Sequence, residues 1–299
     1  MPPLRRTLAL SATALLIAAC GGEGGSGGDA PSVSTMASDA LTAIDKERSV
    51  TYDIAANAKV KASSSATAET RRFTDNPLEL RLKGGASPTA FSADGTAQGA
   101  GQTFSAKAML DESSAYVNFL GAWYGTKEAG LKDATDQAQQ RAGANADLKK
   151  AVATIKKYGD KAFDGEVEEG PETDGTETWQ LTGKLDTDGL VEIARAEGEN
   201  PTQQEIEEAR RVFERLDLEL TTGKEDDLPR HLEVRFSGTA EEIAALSDES
   251  DTAAQLKEIE SMEISFTADF SKWGEKVTIK PPASFEPLES LVGSFIGGQ

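Results

Sequence analysis

The sequence has almost none of the cysteine and histidine side chains from which zinc sites and nucleophilic triads are usually built. Its 299 residues include one cysteine, Cys20, and one histidine, His231. A lone cysteine excludes an internal disulfide and a multi-thiolate metal site. A lone histidine excludes zinc sites that need several, and it leaves one residue for any Ser-His-Asp arrangement. We therefore expect no cofactor, no metal and no enzymatic activity.

Positive charge is also scarce. Lys and Arg number 31 against 51 Asp and Glu, which gives a net charge of -20. So acidic a chain is repelled by nucleic acids and by anionic lipid surfaces, so neither is an expected partner. With so many carboxylates, no single pair of them indicates acid–base catalysis.

The chain has a single apolar run of note, at its N-terminus. Arg5 and Arg6 precede an apolar stretch over residues 8–19, and small residues at 18 and 19 lead into Cys20. A positive flank, a short apolar core and small residues before a cleavage point are typical of a secretory signal. The stretch is shorter than the roughly 20 residues that a membrane-spanning helix needs. We predict a signal peptide at residues 1–19.

Residues 17–20, Ile-Ala-Ala-Cys, resemble the lipobox of bacterial lipoproteins. The resemblance implies cleavage before Cys20, a diacylglycerol on its thiol with palmitate among the acyl chains of the anchor, and a cell-membrane location with the body on the extracytoplasmic side. The alternative, an ordinary signal with an incidental cysteine, is weakened because Cys20 is the only cysteine. Residues 20–30 then form a glycine-rich, flexible tether.

The remaining body, residues 31–299, shows mainly the alternation of apolar and polar residues that half-buried strands produce. Strands with one polar and one apolar face indicate an antiparallel sheet that is wet on one side. The alternating segments are residues 50–60, 78–82, 104–110, 115–119, 177–185, 216–220, 232–236, 262–270 and 277–279.

Helical patterns separate these strands. We predict helices at residues 38–48, 127–158, 189–196, 201–211, 240–246 and 253–259, the third of them capped by Asp188. The expected fold class is α+β, a single curved antiparallel sheet with helices packed on one face.

The order of these features resembles the LppX/LprG-type bacterial lipoproteins and, more distantly, the LolA/LolB lipoprotein carriers. The resemblance is carried by residues 41–60, 115–124, 178–186, 227–234 and 277–282, while residues 127–160 and 197–211 depart from it. It implies a monomeric half-barrel domain over residues 31–299. The helices would pack on the concave face around an apolar cavity, and members of this kind bind acyl chains of lipids or lipoproteins.

Two functions remain open. The first is a non-enzymatic lipoprotein that binds or carries apolar ligands, expected to be acyl lipids or glycolipids. The second is a cell-envelope interaction or scaffold module that has the same sheet, a filled core and no ligand. For the first, the apolar stripes predict a ligand-lining set: Tyr52, Ile54, Leu80, Leu82, Phe104, Tyr116, Met262, Ile264 and Phe266.

Other motifs favour structural roles. Residues 186–189, Asp-Thr-Asp-Gly, resemble part of a calcium loop, but Lys184 and Arg195 would then hold ligand positions with the wrong charge. His231 should point away from the apolar face together with Glu233. The aromatic pair at 123–124 could form the lip of a cavity, although a packing anchor within a strand is favoured.

Overall fold

The computed structural model describes residues 30–99, 101–126, 145–196, 198–244, 258–288 and 290. The predicted signal peptide and all of the tether except Ala30 lie outside the described residues. So do most of the helix predicted at 253–259 and the first part of the one predicted at 127–158.

The described residues form one open sheet of twelve strands with six helices. The helices are α1 (Val33–Glu47), α2 (Ala68–Thr74), α3 (Asn145–Ala162), α4 (Thr187–Ala196), α5 (Gln203–Phe213) and α6 (Ala240–Ala244). The strands are β1 (Val50–Ala62), β2 (Leu78–Ala86), β3 (Ala90–Gly99), β4 (Gln102–Asp111), β5 (Ala115–Phe119), β6 (Ala122–Thr126), β7 (Phe163–Thr173), β8 (Thr176–Leu185), β9 (Leu216–Gly223), β10 (Pro229–Thr239), β11 (Ile259–Ser271) and β12 (Glu286–Pro287).

The strand order across the sheet is β12-β6-β5-β4-β3-β2-β1-β11-β10-β9-β8-β7. All neighbours are antiparallel except the short parallel pair of β12 with β6. The two halves of the chain thus meet at the sheet centre, where β1 pairs with β11 over most of their length. The prediction of one antiparallel sheet with helices on one face is confirmed.

One face of the sheet carries the apolar residues of each strand, and we call it the apolar face; the opposite side is the outer face. Helices α1 and α3 cover the apolar face above β8 to β10. Their buried residues form one core cluster with the sheet: Met36, Ala37, Ala40, Leu41, Ile155, Leu181, Leu218 and Leu220. This half of the sheet is therefore a conventional packed core.

A second cluster lies where α3 runs into β7. It joins Ala162, Leu185, Leu190, Ile193 and Phe213, so α4 and α5 close this end of the core. The predicted cap of α4 is wrong by two residues. The Asp186 carboxylate, not that of Asp188, accepts the Gly189 N–H at 2.7 Å, while Asp188 forms an ion pair with Arg210.

Gly189 makes this junction possible because α4 approaches the backbone of α3 closely. A Cβ on Gly189 would collide with the carbonyl oxygen of Lys161 and lie 2.7 Å from the Cα of Ala162. We expect Gly189→Ala to lower the free energy of unfolding by about 1–3 kcal/mol through overpacking. Chemical denaturation measures it.

Gly95→Ala is the matched control. A Cβ there would meet the Leu82 side chain at 3.5 Å, which is an ordinary contact. An equal loss of stability in both variants would show that the cost comes from glycine itself and not from the close approach of α4.

Several elements were not predicted. Strands β3 and β7, helix α2 and the short β12 were missed, β6 was predicted only as a strand around the aromatic pair at 123–124, and α1 and α5 are displaced from their predicted limits. The strand predicted at 277–279 is wrong: residues 272–285, which we call the C-terminal segment, contain no strand. Val277 instead packs at the outer face, filling the space above Gly85.

Candidate functional site

The apolar face carries large exposed side chains where the helices described above do not cover it. The exposed fractions are 54% for Leu78, 51% for Leu80, 54% for Phe104 and 40% for Ile264. We call these four residues the open strip. Their counterparts above β8 to β10, such as Leu181 and Leu220, are almost fully buried.

A furrow follows β1 through the open strip. Ala56 pairs with Leu80 on one side and with Phe266 on the other. Ala58 likewise lies between Leu78 and Ile264. Since neighbouring strands are about 4.8 Å apart, two large side chains flank a floor of methyl groups. We call this trough the β1 furrow.

Strand β3 offers no second furrow, although from Ala93 to Gly99 its residues on the apolar face are alanine and glycine. A Cβ on Gly99 would lie 2.5 Å from Leu78 Cδ2, and one on Gly95 would lie 3.5 Å from Leu82 Cδ1. The leucines of β2 therefore lean over β3 and occupy the space that its missing side chains leave. This leaves β1 as the trough of the open half.

Tyr52 closes the far end of the β1 furrow. Its ring stacks on Phe91 at 6.4 Å and its hydroxyl donates to the Ser92 carbonyl oxygen at 2.9 Å. Only 8% of the residue is exposed, and burial raises the pKa of its hydroxyl. The furrow is thus blocked at this end by an ordered aromatic ring.

Eight of the nine predicted lining residues share the apolar face. Tyr116 does not, because it pairs with Met109, which pairs with Ser92 on the outer face. Its ring is 1% exposed and packs edge-on against Phe285 of the C-terminal segment at 5.1 Å. Tyr116 therefore lies on the opposite side of the sheet from the other eight predicted lining residues. Its role in lining a ligand site stays a prediction.

A cavity of about 830 Å³ lies at the other end of the furrow. Val60 and Met262 contribute apolar surface, whereas Arg71, Arg215 and Glu242 contribute charge. A mixed lining of this kind suits a polar or amphiphilic group, and it differs from the purely apolar void that a buried acyl chain would need. Neither Ala97 of β3 nor Phe104 of β4 belongs to it.

Charged residues form a row across the outer face. Lys107, Asp94, Lys83, Asp53, Asp269 and His231 are successive cross-strand partners from β4 to β10. Lys83 and Asp53 are 2.6 Å apart, Lys107 forms an ion pair with Asp94, and His231 Nδ1 lies 2.7 Å from Asp269 Oδ1. A second cavity of about 670 Å³ lies between this row and residues 275–278.

His231 lies on the outer face of β10, as predicted, together with Glu233 and Arg235. Its side chain contacts the carboxylate of Asp269. Trp123 and Tyr124 are half-buried in β6.

Among the described residues, no group of three or more His, Cys, Asp or Glu side chains is placed to hold a metal ion. Of the described helices, none is long and apolar enough to cross a membrane.

Glu242 is the most strongly perturbed carboxyl of the 830 Å³ cavity. The Arg215 guanidinium, 2.5 Å away, and the N–H of Thr239 at 2.7 Å lower the pKa of Glu242 to about 2. Because the folded pKa is depressed, the contact stabilises the fold above the ordinary glutamate pKa of about 4.3. That contribution is lost as the pH falls from there towards 2.

We therefore expect Glu242→Gln to lower the midpoint of unfolding at pH 7 and to have little effect near pH 2. The shift is small because the pair is exposed and screened by solvent. Thermal unfolding at both pH values measures it, and Glu241→Gln, one residue earlier on the same helix, is the control. An equal effect at the two pH values would show that the charge of Glu242 is not involved.

The comparisons with known proteins concern the fold. No protein-family model matches the chain, and no curated protein sequence does. The chain is similar to two solved mycobacterial proteins, the second of which is a lipoprotein. LprF from Mycobacterium bovis shares 12% identity over 82% of this chain and 94% of its own, with a TM-score of 0.37. LppX from Mycobacterium tuberculosis shares 11% over 81% and 94%, with a TM-score of 0.32.

LppX is one of the lipoproteins that the sequence was predicted to resemble, and most of its chain is matched. TM-scores this low say nothing about a ligand. What the site can bind follows from its own residues.

Proposed function

We propose that this protein is a lipid-anchored, extracytoplasmic, non-enzymatic lipoprotein that binds acyl chains along the β1 furrow. The observation that carries the proposal is the open strip, four large apolar side chains exposed together on a face that is core elsewhere. Apolar side chains exposed singly are normal, but a contiguous group marks a binding surface.

The proposed location in the cell follows from the N-terminal sequence. Residues 1–19 would be removed as a signal peptide, Cys20 would carry the lipid, and residues 21–30 would tether the body to the membrane. The body from residue 31 would act as one domain, because its two halves share one sheet. Its partners would be the membrane, through the anchor, and a lipid ligand.

The shape of the furrow bounds the affinity. Each fully buried methylene contributes about 0.8 kcal/mol, so about 16 methylenes half-covered in an open trough contribute roughly 6 kcal/mol. That corresponds to a dissociation constant of tens of micromolar, between the millimolar and micromolar marks of 4.1 and roughly 8.2 kcal/mol. We therefore expect exchangeable rather than permanent binding.

The test uses a soluble body that starts at Asp29 and lacks Cys20. Organic extraction followed by mass spectrometry should recover co-purified acyl lipid, and a fluorescent fatty acid should bind and be displaced by unlabelled fatty acid. Absence of both signals, from protein with the expected circular dichroism, would contradict the proposal.

A second function, an envelope interaction or scaffold module without ligand, is favoured by a different observation. The space beneath α1, α3, α4 and α5 is filled by two buried clusters. A lipid-free body that still requires its anchor for its cellular effect would support this function.

A further inference from the structure

The point at which the tether joins the folded body is fixed by the side chain of Asp160, an exposed residue near the end of α3. The backbone N–H and the hydroxyl of Ser34 donate to the two carboxylate oxygens of Asp160, each at 2.8 Å. Ser34 is 8% exposed and lies in the first turn of α1. Asp160 lies two residues before the end of α3, which passes directly into Phe163 of β7. The tether therefore leaves from the Phe163 end of β7.

The strand register shows which residues of the other strands lie level with the start of β7. From β7 to β1 the successive partners are Asp164, Lys184, Asp217, Arg235, Ser265 and Asn57. One residue further towards Phe163, the same edge contains Ile264, Ala58 and Leu78. Two residues beyond these along β1 lies Val60, which lines the 830 Å³ cavity. We call this edge of the sheet the near end.

Helix α1 runs away from the near end. At its other end, the Gly274 N–H after β11 donates to the Ser49 carbonyl oxygen just before β1. With 15 residues, α1 is about 22 Å long, so it spans much of the sheet. The chain then returns along β1 towards the near end.

Exposed apolar surface is concentrated at the near end. Leu78 and Ile264 flank Ala58 in the row level with Phe163, and Leu80 and Phe104 belong to the next row. One row further, Ile54 is half-buried, and Tyr52 beyond it is buried. Exposure of the β1 furrow therefore increases towards the point from which the tether leaves.

We propose that the near end faces the lipid bilayer, so that the β1 furrow takes up and releases acyl lipid at the membrane surface. The inference rests on the proposed anchor. A glycine-rich segment of ten residues would have a mean reach of about 17 Å. The 13 residues of β1 extend over about 43 Å. The near end thus stays closer to the membrane than the far end.

The charge of the body does not favour another orientation. The chain is strongly acidic, so anionic headgroups repel it rather than turn a different surface towards them. The open strip supplies the attraction instead, because its side chains gain free energy when lipid removes them from water.

The orientation can be measured with the lipidated full-length mature protein in phosphatidylcholine vesicles that contain a headgroup-linked energy acceptor. Lipidation consumes the only native thiol, so an introduced cysteine can be labelled alone. Asp75→Cys places the donor beside the 830 Å³ cavity, three residues before β2 begins. Thr89→Cys places it in the exposed turn after β2, at the far end of the same strand.

We expect energy transfer at position 75 to be several-fold more efficient than at position 89. Equal or inverted transfer, with protein that floats with the vesicles, would overturn the orientation and leave acyl binding by the soluble body untouched. Protein that does not float would overturn the anchor and the orientation together. Fatty-acid displacement by the soluble body distinguishes both results from a failure of lipid binding.

Discussion

Replacing Leu181 by alanine should destabilise the protein by about 2–5 kcal/mol, because a large-to-small change in a packed core leaves a cavity. Leu181 is 1% exposed and lies in the cluster that joins α1 and α3 to the sheet. Its cross-strand partner on β9, Leu220, is 2% exposed. The cluster and the side chains packed against it belong to two helices and four strands, so they cannot all move to refill the space.

Leu80→Ala is the matched control, since it removes the same atoms from the same face of the sheet. Leu80 is 51% exposed, and we expect a change in the free energy of unfolding within about 1 kcal/mol. Urea denaturation of both variants measures the difference. Similar losses in the two variants would mean that the open strip is as tightly packed as the core, and the acyl-binding proposal would lose its basis.

The strands that were correctly predicted are those in which one face meets the core or a neighbour and the other meets water. Strand β11 is the clearest: Met262, Ile264, Phe266 and Ala268 alternate with polar residues that lie on the outer face. The alternation survives in the sequence whether or not a helix covers the apolar side, because both environments select the same residues. For that reason the alternation predicts where strands lie, but it does not predict whether helices cover their apolar face.

The missed strands lack that contrast. After Phe91, strand β3 has only alanine and glycine on its apolar face, and Leu78 and Leu82 of β2 reach across it to fill that space. In strand β7, five of the eleven residues are acidic, and Phe163 and Val167 are its apolar contacts with the core. Both strands are stabilised by side chains of neighbouring elements. The sequence pattern of the strand itself does not show those contacts.

The misplaced residue of the predicted site could have been found. In the segment 115–119, Val117 and Phe119 share a face with Ala115, which leaves Tyr116 on the other side. Its aromatic character outweighed its position in the alternation. The contact with Phe285, 169 residues later, was beyond prediction because the C-terminal segment has no pattern that indicates where it lies.

The exposed location of the furrow could not be predicted either. It follows from where α1 is placed, and α1 is held by its buried residues in the core cluster together with the pairing of Ser34 with Asp160, 126 residues apart. Once α1 lies above β8 to β10, the apolar residues of β1, β2 and β4 are left without that cover. The packing of α1 therefore sets which half of the sheet is covered and which half is open.

Replacing Ile264 by aspartate should reduce fatty-acid affinity at least 100-fold. Ile264 flanks Ala58 in the β1 furrow and is 40% exposed, so the carboxylate stays hydrated in the free protein. A bound acyl chain would remove that water without supplying a hydrogen bond. Desolvation of an unpaired carboxylate costs a large free energy. A loss of about 3 kcal/mol already corresponds to more than a 100-fold change. Titration with a fluorescent fatty acid measures it.

Ser265→Asp is the control because it introduces the same charge one residue later on the opposite face. Ser265 pairs with Asn57 and Arg235, so its new carboxylate would lie beside a guanidinium and far from the furrow. We expect the affinity of this variant to be unchanged and the unfolding midpoints of both variants to remain close to that of the native chain. If the two aspartates weaken binding equally, the loss comes from the added negative charge of an already acidic protein, and the β1 furrow is not where the acyl chain lies.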